Sequence, residues 1–450
     1  MKKLFGTDGI RGAVDKDLTT ELAFRLGRVF GLIIEQKYPS GPWNVLIGRD
    51  TRLSCEALEG ALSSGLKSQG VNMTLVNVIP TPGLAFLTRT AGFNAGVMIS
   101  ASHNPAEYNG IKFVSHNGFK LTDEEESEIE KTIGNYDQIH FPEKQPGLIE
   151  HDITLSTKYL EYLKQIDKIS LSDMKVVVDL ANGAAYSIAP QLFTARGANV
   201  VPISNKPDGL NINLNCGSTH LDTLQRAVVA HQADVGLAFD GDGDRVLAVD
   251  ENGEIVDGDQ IVLIEALELA RNGKLRNNTV VATVMSNYGF EEALQKRDIT
   301  LKRTPVGDRY VVEEMVRSGA GLGGEQSGHV VFLDYNTTGD GLITGLKLLA
   351  TLKRSGRKLS VLAAEMERFP QVQLNVSVRS TKDWDRNLAI QTVISTAELH
   401  IQGKGRVVVR ASGTEPLIRI MVEGKDYSLI NQLASDIANT IQTEVSASRL

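Results

Sequence analysis

The sequence predicts an α/β fold made of three similar α/β domains and a smaller α+β domain at the C-terminus. Two observations carry this prediction. A unit of apolar strand, polar loop and helix-like stretch occurs three times along the first 330 or so positions. The C-terminal part instead combines strand-like runs with one amphipathic helix. An internal repeat of this kind indicates repeated supersecondary units rather than one continuous core.

Each repeat begins with an apolar run of strand length and contains two further short strands. The first strands are predicted at 45–50, 176–183 and 280–287, the second at 71–76, 198–203 and 299–304, and the third at 95–100, 234–239 and 320–325. The third strand of every repeat leads directly into an unusual polar loop. Because ligands bind at strand ends in open α/β sheets, these three loops are the candidate functional loops.

The C-terminal part has predicted strands at 374–378, 405–410 and 418–423 and a closing helix over 428–445. Loop-rich or turn-rich stretches separate it from the repeats and the repeats from each other. We place the domains at 1–150, 151–254, 255–368 and 369–450, which carry respectively the first, second and third polar loops and a fourth loop after Arg410.

Composition restricts the class of protein. The chain has 450 residues, 42% of them hydrophobic, and a formal net charge of -8. An acidic chain argues against nucleic acid or an anionic membrane as the main partner. The sequence contains no membrane-spanning run and no signal-peptide pattern, and Cys55 and Cys216 are too far apart to suggest a disulfide framework. We therefore expect a cytoplasmic protein.

Three aspartates, Asp240, Asp242 and Asp244, alternate with glycines directly after a predicted strand. Three carboxylates this close repel one another unless a cation balances them. Oxygen ligands without Cys or His favour Mg2+ over Zn2+. An acidic hairpin turn is the alternative, since Asp-Gly is a common turn pair, whereas the spacing does not fit an EF-hand. The loop predicts a magnesium site.

The first loop places Ser102 beside His103. A serine hydroxyl becomes a nucleophile only with a base or a metal nearby. A Ser-His pair in a loop can also be a simple turn feature. The chain has no Gly-x-Ser-x-Gly pattern, so a serine hydrolase is disfavoured. Arg11, between two glycines near the N-terminus, could reach over a bound phosphate.

The remaining loops offer sugar and phosphate contacts. A turn with a carboxylate, a hydroxyl and an imidazole, from Glu325, Ser327 and His329, could bind vicinal hydroxyls. A cradle of guanidinium groups, hydroxyls and a glycine N–H could bind phosphate, although a hairpin with surface charge is the alternative. The cradle residues are Arg410, Ser412, Gly413, Thr414 and Arg419.

With these loops in this order, the sequence resembles the α-D-phosphohexomutase superfamily and, within it, the bacterial-type phosphoglucosamine mutases. The resemblance covers essentially the whole chain. Its markers are the segments 6–12, 100–105, 109–112, 240–245, 324–329 and 410–416.

The resemblance implies four domains with mixed sheets around a central cleft, and an isomerase that carries a phosphate on Ser102. It implies Mg2+ held by a phosphoserine oxygen together with Asp240, Asp242 and Asp244. A sugar 1,6-bisphosphate, of glucosamine or glucose, is the implied intermediate and activator. Ser100 ends a strand while Ser102 lies further into the loop, which favours Ser102 as the phosphate carrier.

Phosphoryl transfer needs positioning and charge neutralisation, which Arg11, Lys112 and Arg245 could supply together with the metal. His103 and Lys112 are the candidates for proton transfer.

The substrate implied is a phosphosugar. The segment 304–311, which contains Gly307 and Asp308, resembles the specificity loop of phosphoglucosamine mutases, so we expect interconversion of glucosamine 6-phosphate and glucosamine 1-phosphate for UDP-N-acetylglucosamine synthesis. A phosphoglucomutase or phosphomannomutase is the main alternative. A sugar-phosphate-binding protein without catalysis and a metal-dependent phosphatase are weaker ones. Homodimer formation is left open.

Overall fold

The computed structural model describes residues 4–6, 8–412 and 416–447, with the side chains of 446 and 447 excepted. The chain divides into two compact units. One contains Met1–Thr283 and Lys302–Glu365, and the other contains Val284–Leu301 and Met366–Leu450.

The first domain is a six-stranded mixed sheet with helices packed on it. Its strands lie in the order β1-β5-β4-β2-β3-β6. They are β1 Ile10–Ala13, β2 Asn44–Arg49, β3 Asn72–Val78, β4 Ala95–Ile99, β5 Tyr108–Ser115 and β6 Ile149–His151, and the helices are α1 Thr20–Lys37, α2 Cys55–Ser68, α3 Thr81–Thr90 and α4 Asp123–Gly134. Strands β2, β3 and β4 are parallel, while β5 returns antiparallel to β4. The parallel strands therefore end at one edge of the sheet, where the first polar loop begins.

Helices α1 and α2 pack closely because each has a glycine at the crossing. A Cβ on Gly27 would lie 2.2 Å from the carbonyl oxygen of Leu62, and one on Gly65 would lie 2.2 Å from that of Phe24. Any larger side chain would push the two backbones apart and open the core beneath them.

The second domain repeats this plan with a five-stranded sheet in the order β11-β10-β9-β7-β8. Its elements are α5 Thr154–Ile166, β7 Lys175–Asp179, α6 Ile188–Ala195, β8 Asn199–Ile203, α7 Asp222–His231, β9 Val235–Phe239, β10 Val246–Asp250 and β11 Ile255–Val256. Strand β10 runs antiparallel to β9, so the Asp loop connects the two strands of a buried hairpin.

In the third repeat, β12 pairs parallel with β14 and β14 pairs antiparallel with β15. Its elements are α8 Gly258–Arg271, β12 Thr279–Thr283, α9 Tyr288–Gln295, β13 Thr300–Thr304, α10 Asp308–Ser318, β14 Leu322–Gly324, β15 Val330–Phe332, α11 Gly341–Ser355 and α12 Leu359–Ala363. Helix α9 belongs to the second compact unit. Helix α8 starts with a capping box, in which the Asp257 side chain accepts from the backbone N–H of Gln260 and the Gln260 side chain accepts from that of Asp257.

The C-terminal domain is a three-stranded antiparallel sheet, ordered β16-β18-β17, with two helices. Its elements are β16 Gln371–Ser377, α13 Leu388–Ile401, β17 Gly405–Ala411, β18 Leu417–Gly424 and α14 Tyr427–Ala447. The helices and the sheet enclose a separate apolar core that includes Ile390, Ile420 and Ile437.

The predicted class, three α/β domains with mixed sheets and a smaller α+β domain, is confirmed. All nine predicted strands of the repeats occur. None of the helices in the described part of the chain is both long and apolar enough to cross a membrane.

Candidate active site

The loop after β4 holds Ser102 in a constrained conformation. Its backbone φ is 53°, in the left-handed region that residues other than glycine seldom adopt. The N–H of Ser102 donates to Ser100 Oγ at 2.9 Å, and Ser100 Oγ donates to Asp50 Oδ2 at 2.6 Å. Both serines are buried. The Ser100 hydroxyl therefore stabilises the loop through these two hydrogen bonds, whereas the Ser102 hydroxyl faces the second domain.

A single buried arginine, Arg52, holds the carbonyl groups of this loop. Its guanidinium donates to the carbonyl oxygens of Ser102 (3.0 Å), Asn104 (2.7 Å), Pro105 (2.5 Å) and Tyr108 (2.9 Å). It also pairs with Asp50 at 2.9 Å, and its side chain has no solvent exposure.

A residue of the second domain, Asn213, also holds the backbone of the loop that contains Ser102. The amide Nδ2 of Asn213 donates to the carbonyl oxygens of Ser102 and Asn104, at 2.9 Å each. Two side chains from different domains thus fix the backbone on which the Ser102 hydroxyl is mounted.

The Asp loop meets the serine loop directly. Ser102 Oγ donates to Asp240 Oδ2 at 2.6 Å and lies 3.3 Å from His103 Nδ1. The loops can approach this closely because Gly241 has no side chain: a Cβ there would lie 2.5 Å from the Ser102 carbonyl oxygen.

The three aspartates of the loop form a buried carboxylate cluster. Asp240, Asp242 and Asp244 each have a carboxylate oxygen within 4.8 Å of the others. Oδ1 of Asp242 and Oδ1 of Asp244 are buried and have no hydrogen-bond partner among the described residues. Buried carboxylates this close together, two of them with an unpartnered oxygen, fit a hard divalent cation such as Mg2+.

The pKa values of two of these carboxyl groups move in opposite directions. Burial raises the pKa of Asp240 well above its ordinary value, and repulsion from Asp244 and Asp242 raises it further. Burial also acts to raise the pKa of Asp242, but the ammonium of Lys112 outweighs it, so that pKa is lowered. The three carboxylates therefore repel one another, and Lys112 offsets this repulsion at Asp242.

Cationic side chains surround the cluster. Lys112 Nζ lies 2.7 Å from Asp242 Oδ2 and 2.6 Å from Asp8 Oδ2. Arg11 pairs with Asp8 at 2.5 Å. The Arg245 backbone N–H donates to Asp240 Oδ1 at 3.2 Å, and its Nε lies 3.8 Å from Asp244 Oδ1.

Two of these groups differ in their capacity to accept a proton. Burial acts to lower the pKa of Lys112, but Asp242 and Asp8 outweigh it and raise that pKa far above its ordinary value. Burial lowers the pKa of His103 to about 4, assisted by repulsion from Arg245 and Arg11. At neutral pH, Lys112 is a fixed positive charge and His103 is a neutral imidazole.

The third domain brings the turn before α10 and the β14–β15 hairpin to this cluster. His329 Nε2 lies 3.2 Å from Asp308 Oδ2 and 3.8 Å from Asp244 Oδ2. The N–H of Gly307, whose φ is 135°, donates to Glu325 Oε1 at 3.3 Å. Burial raises the pKa of Glu325, and the nearby Asp308 raises it further. Ser327 Oγ is buried without a hydrogen-bond partner in the described part of the chain.

The predicted phosphate cradle lies in the C-terminal domain. Arg410 on β17 stands directly opposite Arg419 on β18. Burial lowers the pKa of Arg410, and repulsion from the guanidinium of Arg419 lowers it further. The backbone N–H of Ser412 donates to the Leu417 carbonyl at 2.8 Å. Gly413 and Thr414 lie outside the described residues.

Four family models match consecutive parts of the chain. They describe phosphoglucomutase/phosphomannomutase α/β/α domain I (residues 2–140), domain II (157–253) and domain III (257–369), and the C-terminal domain (374–440). The chain belongs to the phosphoglucomutase/phosphomannomutase family. It is therefore an isomerase of the phosphohexomutase type, as the sequence predicts.

Individual relatives of this phosphohexomutase support the family assignment. A phosphoglucosamine mutase of Caldicellulosiruptor bescii is 49% identical over 99% of this chain and 100% of its own length. The structure of a phosphoglucomutase/phosphomannomutase family protein from Burkholderia thailandensis superposes with a TM-score of 0.82 at 25% identity, over 100% of this chain and 98% of that one. An Aspergillus fumigatus N-acetylphosphoglucosamine mutase, solved with GlcNAc-6P and magnesium, has a TM-score of 0.66 at 20% identity, over 98% and 96% of the two chains.

The phosphohexomutase structure places most of the predicted site residues together in its first unit. This group is Arg11, Ser102, His103, Lys112, Asp240, Asp242, Asp244, Arg245, Gly307, Asp308, Glu325, Ser327 and His329.

Sequence reasoning missed the residues that hold this group in place: Asp8, Asp50, Arg52, Lys120 and Asn213. One available signal was position, since Asp50 and Arg52 follow the end of β2 as Ser100 follows the end of the neighbouring parallel strand β4.

Proposed function

We propose that this phosphohexomutase interconverts glucosamine 6-phosphate and glucosamine 1-phosphate through a phosphorylated Ser102. Ser102 transfers its phosphoryl group to the free hydroxyl of the sugar phosphate, which gives a sugar 1,6-bisphosphate and a serine hydroxyl. The serine then takes the phosphoryl group from the other end of the sugar, which releases the isomeric sugar monophosphate. The observation that carries this proposal is the 2.6 Å contact between Ser102 Oγ and the carboxylate cluster at Asp240.

The carboxylates of Asp240, Asp242 and Asp244, with an oxygen of the phosphoserine, would hold Mg2+. When bound, the ion neutralises negative charge that develops on the transferring phosphoryl group. Arg11, with its guanidinium near the serine loop, would stabilise the same charge from the protein side.

Proton transfer and charge neutralisation fall to different residues. His103, neutral at pH 7 and 3.3 Å from Ser102 Oγ, can take the proton from a hydroxyl. Lys112 stays protonated and, with Arg245, acts as a fixed cation.

We assign sugar binding to the turn and hairpin of the third domain. Glu325, Ser327 and His329 would bind hydroxyl groups, and Gly307 and Asp308 would contact the part of the sugar that distinguishes an amine from a hydroxyl. The unpartnered buried hydroxyl of Ser327 supports this assignment.

Binding of the phosphate that does not react is assigned to the C-terminal domain. The adjacent guanidinium groups of Arg410 and Arg419 offer bidentate contacts to a phosphate. Ser412, Gly413 and Thr414 complete the proposed cradle.

The sequence-based domain boundaries, 1–150, 151–254, 255–368 and 369–450, are retained as part of this proposal, and each domain carries one of the four candidate loops.

Glucosamine or glucose 1,6-bisphosphate would restore phosphate to Ser102 after occasional loss of the intermediate. We also propose a cytoplasmic location and a role in supplying UDP-N-acetylglucosamine synthesis. Interconversion of glucose or mannose phosphates is the alternative, because the family description includes both activities.

The test combines turnover with intact mass. Purified protein is incubated with glucosamine 6-phosphate, glucose 6-phosphate and mannose 6-phosphate in separate reactions, with Mg2+ or with excess chelator. We expect the highest kcat/KM for glucosamine 6-phosphate, activity only with Mg2+, and a mass increment of one phosphate that Ser102→Ala removes.

Ser100→Ala is the matched control. It removes a hydroxyl that contacts Asp50 and should slow turnover without removing the increment. Phosphate mapped to Ser100, or release of inorganic phosphate instead of an isomer, would contradict the proposal.

A further inference from the structure

Lys120 lies where the first and third domains meet beside the carboxylate cluster. Its ammonium contacts Asp8 of the first domain and Asp308 of the third, and its side chain is 15% exposed. Asp308 is the first residue of α10 and directly follows Gly307. One lysine therefore connects the N-terminal segment to the turn that precedes α10.

The orientation of the Asp308 carboxylate depends on this contact. Its Oδ1 accepts the backbone N–H of Arg309 at 2.8 Å. Its Oδ2 faces Lys120 and lies 3.2 Å from His329 Nε2. If the lysine were neutral or absent, the buried Oδ2 would lose its cation and keep Asp8 and Glu325 as repulsive neighbours.

We propose that Lys120 is a positioning residue for sugar selection: by bridging Asp8 and Asp308 it holds the Asp308 carboxylate in the orientation that favours an amino sugar. This inference rests on the proposed function, in which the turn at Gly307 contacts the sugar.

The chemistry of the two sugars gives the reason. A hexosamine phosphate carries an ammonium group where a hexose phosphate carries a hydroxyl, and a carboxylate held in place favours the ammonium through a charge-assisted hydrogen bond. Lys120 divides its positive charge between two carboxylates, those of Asp8 and Asp308.

A second link between the same two domains provides a control. Arg309, the neighbour of Asp308, pairs with Asp123 and Glu126 on α4. Glu126→Gln weakens this domain contact from the first-domain side without altering the Lys120 bridge. Comparison of the two variants separates a role in domain packing from a role in orienting Asp308.

The experiment measures initial rates with glucosamine 6-phosphate and glucose 6-phosphate for wild type, Lys120→Met, Lys120→Arg and Glu126→Gln, with Mg2+ present. For Lys120→Met we expect the KM for glucosamine 6-phosphate to rise about tenfold, equivalent to about 1.4 kcal/mol, while kcat stays within about threefold. The ratio of kcat/KM between the two sugars should fall about tenfold. Lys120→Arg should recover most of the wild-type ratio of kcat/KM between the two sugars. Glu126→Gln should lower the thermal midpoint and leave that ratio unchanged.

An unchanged ratio in Lys120→Met would overturn the inference, and so would an equal change in Glu126→Gln. If Lys120→Met does not fold, Lys120→Gln replaces it and the same ratio decides. Failure of the wild-type protein to turn over glucosamine 6-phosphate would contradict the proposed function itself. Active wild type with an insensitive Lys120 would contradict only this inference.

Discussion

Replacing Arg52 by lysine should loosen the serine loop while keeping a positive charge beside Asp50. The Arg52 side chain has no solvent exposure and five acceptors around it. These acceptors are Asp50 Oδ2 and the carbonyl oxygens of Ser102, Asn104, Pro105 and Tyr108. A guanidinium has five N–H donors and an ammonium has three. In Arg52→Lys at least two of these five hydrogen bonds are lost.

The size of the effect follows from that count. A hydrogen bond that involves a charged group contributes about 1.5–3 kcal/mol, so two lost bonds predict a loss of about 3 kcal/mol in the free energy of unfolding. The Ser102 carbonyl would keep its bond from Asn213, but the positive φ of Ser102 would be less firmly held. Misplacement of a reacting group by about 1 Å can cost about a hundredfold in rate, so we expect kcat to fall by at least about tenfold.

Urea unfolding followed by circular dichroism, together with turnover, measures both quantities. Arg49→Lys is the matched control, because Arg49 ends the preceding strand β2 and pairs with two carboxylates, those of Glu56 and Glu59. Two acceptors need no more donors than an ammonium has, so the control should unfold and turn over almost like wild type. A free energy of unfolding for Arg52→Lys within about 0.5 kcal/mol of wild type would refute the argument from donor count.

Two further predictions concern pH and phosphate binding. Burial raises the pKa of Glu265 to about 7, so its stabilising contribution is fully present below its unfolded pKa and is lost as pH rises through 7. Between pH 5.5 and 8.5 wild type should lose about 2 kcal/mol of unfolding free energy relative to Glu265→Gln; parallel pH profiles from urea unfolding would show that Glu265 is not the cause. Arg410→Ala should raise the KM for the phosphosugar at least about tenfold, because a charge-assisted phosphate contact is removed, whereas Arg386→Ala, with an exposed side chain on the same domain, should not. Equal KM values for the two arginine variants would place the phosphate elsewhere.

The parallel strands of the repeats could be predicted because each is a continuous apolar run with many β-branched residues. Val176–Val178 and Val280–Val281 are fully buried, as such runs require. The antiparallel return strands were not predicted. Strand β5 (Tyr108–Ser115) contains Asn109, Gly110 and Lys112, and its strand character comes from its pairing with β4, which local sequence does not encode.

The candidate site residues could be selected from the sequence because most of them lie in short loops with their own chemistry. Their supports could not, because these act across long separations in sequence. Arg52 and Ser102 are 50 residues apart, and Asn213 and Ser102 are 111 apart. Four of the five acceptors around Arg52 are backbone carbonyls, and such contacts leave no local pattern because every residue has a peptide group.

The charges of the cluster indicate what the first unit is built to hold. Five carboxylates stand against four cationic side chains; the carboxylates are Asp8, Asp240, Asp242, Asp244 and Asp308, and the cations are Arg11, Lys112, Lys120 and Arg245. Burial raises the pKa of Asp240, and the neighbouring carboxylates of Asp244 and Asp242 raise it further, since a proton relieves their repulsion. A divalent cation would relieve it more fully and displace that proton. A phosphate on Ser102, next to Asp240, adds negative charge again. The charges that the cation and the phosphoryl group add nearly cancel, so the cluster stays close to neutral with both bound, as the proposed transfer of a phosphoryl group between Ser102 and a sugar requires.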